Sequence, residues 1–127
     1  MVGLVPLRIV LGLIFCTHGY LKLFSRHLGA SKFGDYLRDE GLPAPTALAW
    51  GIGVLELAMG LLVALGSFVP IAAGLLAVHV LLALMTVAPR KGFTRLPDHA
   101  GYEYELVLFA GLVALVCSGP TPYSMGP

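Results

Sequence analysis

The sequence predicts an all-α membrane protein, a four-transmembrane-helix bundle with a short interfacial amphipathic helix between the first two spans. Three observations predict it. Four apolar stretches, residues 2–24, 46–66, 70–88 and 101–120, come up to or near the roughly 20 residues that carry a helix across a hydrocarbon core about 30 Å thick. Mean hydropathy is +0.87, with 57% hydrophobic and 12% charged residues, where a soluble domain carries about a quarter charged. Each stretch also holds an ionisable residue within it or at its edge, a placement that inside a bilayer is costly and usually turned toward the protein interior. These spans occupy most of the 127 residues, so residues 1–127 are read as a single domain.

The first stretch has no basic residue before Arg8 and no small-residue cleavage site after it, so it reads as a retained helix rather than a signal peptide. At 100° per residue, Phe15 falls about 20° from Arg8, Lys22 about 40° and His18 about 80°. One side of this helix is therefore a polar stripe. The connection that follows contains an amphipathic segment over residues 31–40. Ser31 is placed to cap it, Phe33, Tyr36 and Leu37 share one face, and Gly41 with Pro43 stops it. Such a helix is expected to lie at the cytoplasmic interface.

The second and third stretches are joined around residues 67–69 without a charge, which predicts a tight outer turn. The fourth is preceded by Tyr102, Glu103, Tyr104 and Glu105 and ended by Gly119 and Pro120. Apart from Arg8, every Lys and Arg lies around the first connection (Lys22, Arg26, Lys32, Arg38) or the third (Arg90, Lys91, Arg95). The positive-inside rule puts both connections in the cytoplasm and both termini outside the cell membrane. Small residues four apart, Ala49/Gly53, Gly60/Ala64, Ala73/Ala77 and Ala110/Ala114, favour close helix packing. Cys16 and Cys117 fall at different depths, and no disulfide between them is expected.

The ionisable residues of the spans, Arg8, His18, Lys22, Glu56, His79 and Glu105, form the expected intramembrane polar cluster. Glu56 and His79 sit at the centres of their helices and make a midplane layer toward which Arg8 or His18 reaches. Lys22 and His18 make a cytoplasmic layer with Glu105 and Tyr102. Glu56 reads equally well as a structural ion-pair partner and as a ligand or proton carrier, and its pairing decides its charge. His79 fits a helix–helix hydrogen bond, Lys22 a side chain that snorkels to the interface, and Gly19 a gap beside the His18 imidazole. Glu103 and Glu105 lie about 200° apart, so at most one faces inward, and Glu105 is chosen. No metal site is expected, because two histidines and two carboxylates at different depths lack compact ligand spacing.

The block LRIVLGLIFCTHGYLKLF (Arg8, Gly12, His18, Gly19, Lys22), the block LELAMG (Glu56, Gly60), the late Glu105 and the terminal GPTPYS (Gly119, Pro120, Tyr123, Ser124) resemble the DoxX family of small four-helix membrane proteins along nearly the full length. Met125 and Gly126 stand where the family's ending usually has an apolar and an acidic residue. The resemblance implies a bacterial-type cytoplasmic membrane protein linked to respiratory or sulfur redox chemistry, since related chains are subunits of a thiosulfate:quinone oxidoreductase.

The first functional expectation is a subunit of a membrane-associated redox complex that binds a quinone or passes protons through His18, Glu56 and His79. Whether the chain is itself catalytic is left open, and a quinone is the one cofactor considered. The alternatives are a proton-coupled small-molecule transporter, working as a homo-oligomer, and a scaffold that anchors a soluble redox enzyme by its basic cytoplasmic loops. The lipid bilayer is the constant partner, and no nucleic acid is expected.

Overall fold

Proline and glycine set the helix boundaries. The computed structural model describes residues 3–24, 35, 37–39, 41, 43, 45–86 and 102–118. Its helices are α1 (Leu4–Phe24), α2 (Pro45–Leu65), α3 (Val69–Thr86) and α4 (Glu103–Ser118). Pro45 opens α2 at the first helical position, where a missing N–H loses no hydrogen bond. Gly66 closes α2 with φ +80°, and the Gly66 N–H reaches the Val63 carbonyl (3.1 Å) while the Ser67 N–H reaches that of Leu62 (2.9 Å). This is the Schellman arrangement, which needs a residue comfortable in the left-handed region. Phe68 then takes φ 51° and its carbonyl accepts from Ile71 and Ala72, starting α3 at once. The uncharged turn expected here is thus three residues long.

Within the first connection, Asp35 and residues 37–39 are helical, Leu37 is buried, and Asp35 meets Arg38 at 3.3 Å on the exposed side. The Gly41 N–H returns to the Arg38 carbonyl at 2.9 Å with Gly41 at φ +80°. Phe33 and Tyr36, expected on the apolar face, lie outside the described residues, as do Arg26, Lys32, Arg90, Lys91, Arg95 and the terminal GPTPYS block.

Four crossing helices were expected, and the described residues support the number only in part. α1 and α2, of 21 residues each, have the length and hydropathy of membrane-crossing helices. α3 is shorter, with an apolar run of Val69–Met85, and α4 has 16 residues, about 24 Å at 1.5 Å each. Both stop short of the expected limits 70–88 and 101–120 because residues 87–101 and 119 onward are not described.

Among the described residues, each helix packs on its neighbour in the chain, and α4 makes its lightest contact with α1, closing the order. Leu11 and Phe15 of α1, Val63 of α2, Leu76 of α3, and Leu112 and Leu115 of α4 meet in one buried cluster. Leu13, Val54, Leu61, Ile71, Leu82 and Val107 point outward and are more than a third exposed. An apolar exterior of this extent suits lipid and not water.

The most extensive helix contact, α1 on α2, is built on glycines spaced by seven. A Cβ on Gly12 would stand 2.5 Å from the Ala64 amide nitrogen, and one on Gly19 would stand 2.5 Å from the Leu57 amide nitrogen and 2.7 Å from the Gly53 carbonyl oxygen. From the other side, a Cβ on Gly60 would stand 2.8 Å from the Cys16 nitrogen, and one on Gly53 would meet the Leu23 side chain at 2.5 Å. The two backbones touch, which is how helices associate where apolar burial gives no net drive. Gly19 therefore makes a backbone contact with α2.

Replacing Gly19 with Ala should separate α1 from α2 and lower stability by about 1–3 kcal/mol, read as a lower thermal midpoint in detergent. Gly51 on the same α2 has nothing within 4 Å of its would-be Cβ, and Gly51→Ala should leave the midpoint unchanged. Equal loss in both variants would show that the contact is not the cause.

Candidate functional site

The α1–α2 register determines which polar side chains meet. Gly19 lies opposite Gly53 and Leu57, so Lys22 stands roughly four residues, about 6 Å, nearer the helix end than Glu56. A lysine stem covers that distance. The Lys22 ammonium donates to Glu56 Oε1 at 2.5 Å, and the structure turns it inward, away from the interfacial position expected for it. From α3, His79 Nε2 lies 2.8 Å from the same oxygen. The three side chains are 24%, 3% and 18% exposed for Lys22, Glu56 and His79. Three helices thus converge on one carboxylate oxygen. The second oxygen, Oε2, is buried and accepts no hydrogen bond among the described residues.

A carboxylate at this depth needs such partners. Transfer of an ionised group from water is offset only by a close counter-charge and hydrogen bonds, and here a cation and an imidazole provide both. Because both partners bind one oxygen, the other is left as a buried acceptor without a hydrogen bond among the described residues.

A second polar contact lies between α1 and α4. The Tyr104 hydroxyl is 3.4 Å from His18 Nε2, a long hydrogen bond, and the two rings are nearly parallel (26°) with centroids 6.0 Å apart. Both residues are exposed on the flank of the protein. The charges of Glu56, Lys22 and Glu105 all act on the His18 imidazole, so the outer pair and the buried cluster belong to one electrostatic neighbourhood. The sequence places Tyr102 in the layer with His18, whereas the contact is made by Tyr104. The readable signal was α4's first turn, where Tyr104 stands between Glu103 and Glu105.

The remaining predicted residues are placed as follows. Arg8 is buried, 2% exposed, but sits fourteen residues before Lys22, about 21 Å along α1, and so stays far from Glu56. Glu105 and Glu103 are both half-buried. Cys16 and Cys117 are free thiols, and Cys16 donates to the Leu57 carbonyl at 3.6 Å across the α1–α2 contact. Among the described residues, no three His, Cys, Asp or Glu side chains gather as metal ligands.

The family model described as DoxX matches residues 3–89, which include α1, α2, α3 and with them Lys22, Glu56 and His79. An uncharacterized membrane protein, Rv3486, of Mycobacterium tuberculosis (strain ATCC 25618 / H37Rv) is 30% identical over 132 residues, covering 97% of this chain and 78% of its own length. No solved structure matches the chain.

Removing one partner of a buried ion pair is worse than removing both, since the survivor keeps its desolvation penalty. Lys22→Met should cost about 3 kcal/mol, the low end for breaking a buried pair because Lys22 keeps some contact with solvent. Adding Glu56→Gln to it should recover a large part of that loss in chemical or thermal denaturation. A double variant as unstable as the sum of the two singles would show that the contact carries no energy.

Proposed function

This chain belongs to the DoxX family, and from that premise we propose that it is a four-span subunit of a membrane-associated, quinone- or sulfur-linked redox complex in which Glu56 exchanges protons. The observation that carries the reading is the burial of Glu56 between Lys22 and His79 from two other helices, with one oxygen left open. The His79 imidazole on the same oxygen adds a second group whose ring nitrogens can donate or accept a proton, as redox chemistry coupled to protons requires.

In this reading the chain is one domain in the cytoplasmic membrane, with α3 and α4 completing the crossings. The basic connections face the cytoplasm, where a soluble redox enzyme would dock, and the termini lie outside. The outward apolar side chains of all four helices support the lipid surroundings. The quinone and the sulfur donor are supported by family likeness alone.

The native complex is purified in mild detergent, its co-eluting proteins and lipids are identified by mass spectrometry, and electron transfer to a soluble quinone analogue is followed. Glu56→Gln should leave the complex assembled and slow electron transfer by roughly 10²-fold, the usual contribution of one positioned acid–base group. Unchanged electron transfer in Glu56→Gln would overturn the proposal. Proton-coupled flux into proteoliposomes in the absence of any partner would replace it with a carrier.

A further inference from the structure

A buried carboxylate that exchanges protons needs a way out, and the enclosure of Glu56 allows few. Its Oε1 is taken by Lys22 and His79, and its Oε2 is buried with no hydrogen-bond partner among the described residues. Lys22 is held against Glu56, where it balances the carboxylate's charge. His79 is mostly enclosed on the α3 side.

On the α1 side the surroundings differ. Val10, Leu13, Ile14, Thr17 and His18 line a cavity of about 270 Å³ that opens on the outer flank of α1. Thr17 and His18 bring its polar groups together at one end, the end nearer Lys22. At about 30 Å³ per water molecule, that volume has room for a few waters at the polar end while the apolar end is left to lipid. His18 lies between the two regions: Tyr104 on α4 contacts it, and Lys22 on its own helix, Glu56 on α2 and Glu105 on α4 are the charged groups near enough to act on it. Its Nε2 is occupied by the Tyr104 hydroxyl, which fixes the ring by hydrogen bond and by stacking.

We infer that His18 is the proton gate of the Glu56 cluster and that Tyr104 is its positioning residue, joining the buried carboxylate to the groove on the flank of α1. An imidazole suits the task because it takes a proton on one ring nitrogen and releases one from the other. Outward, the proton leaves Glu56 Oε2 by way of an intervening water, His18 accepts it on one ring nitrogen and gives up the N–H proton of the other to a water at Thr17 or to the Tyr104 hydroxyl oxygen, whose own proton passes on. One proton moves and no electron does; Glu56 is left a carboxylate and His18 in its other neutral tautomer, which proton exchange with water in the groove resets before the next transfer. This inference rests on the reading that Glu56 exchanges protons.

The test follows the Glu56 carboxyl stretch by time-resolved infrared spectroscopy after a rapid pH jump on the full chain in nanodiscs, with the band assigned by its loss in Glu56→Gln. His18→Ala should slow protonation of that band by about 10²-fold, and added imidazole should restore it. His18→Gln, which keeps a polar side chain at this exposed position, should be equally slow and should rule out misfolding as the cause. Tyr104→Phe should slow it less, and Leu13→Ala in the apolar end of the groove should leave the rate alone. A wild-type rate in both His18 variants, with the band still titrating, would overturn the gate and leave the redox proposal intact. A Glu56 band that never changes with pH in the wild type would overturn both.

Discussion

A carboxylate placed where oil surrounds the protein must be compensated, and Glu56 imposes that requirement on the whole helix arrangement. Its partners come from α1 and α3, so the helices on either side of α2 are drawn to the same oxygen. Removing a charge from water is expensive by several kcal/mol even after relaxation, which makes the position of every neighbouring helix matter to it. The apolar exterior contributes little to that choice, because lipid tails are as favourable a neighbour as another leucine.

The glycines are what let the compensation occur. Gly12, Gly19, Gly53 and Gly60 bring α1 against α2 at backbone contact and fix their register. That register places Lys22 within reach of Glu56 but above it, so its stem runs inward along the helix pair. The cation remains partly wet and the anion dry. The same register leaves the outward face of α1 open around Thr17 and His18, where Tyr104 from α4 meets it. Packing at one face and chemistry at the other are therefore two results of one set of side-chain deletions.

Much of this was legible in the chain. Hydropathy located α1 and α2 within two residues at each end, and the central positions of Glu56 and His79 placed both at one depth. The tight turn between α2 and α3 followed from the absence of charge around residues 67–69. What could not be read was direction. A lysine two residues from a helix end is equally at home at the interface, and only the α1–α2 register, a three-dimensional quantity, turns Lys22 inward. The seven-residue glycine spacing on both helices was present as a signal, but small pairs four residues apart are equally common in so glycine- and alanine-rich a chain, and only the packed pair shows which glycines meet. Arg8 shares the polar side of α1 by angle, yet its depth separates it from Glu56, since angle alone says nothing about height.

The contact between Lys22 and Glu56 is the claim from which the rest proceeds, and its distance is directly measurable. Solid-state NMR dipolar recoupling between a ¹⁵Nζ-labelled lysine and the ¹³Cδ carboxyl of glutamate, in lipid bilayers, reports it without a mutation in the site. The account predicts a strong coupling that belongs to Lys22 and Glu56, consistent with a nitrogen 2.5 Å from one carboxylate oxygen, and its disappearance in Lys22→Met. A Glu56 resonance that shows no dipolar contact with any lysine nitrogen would contradict it.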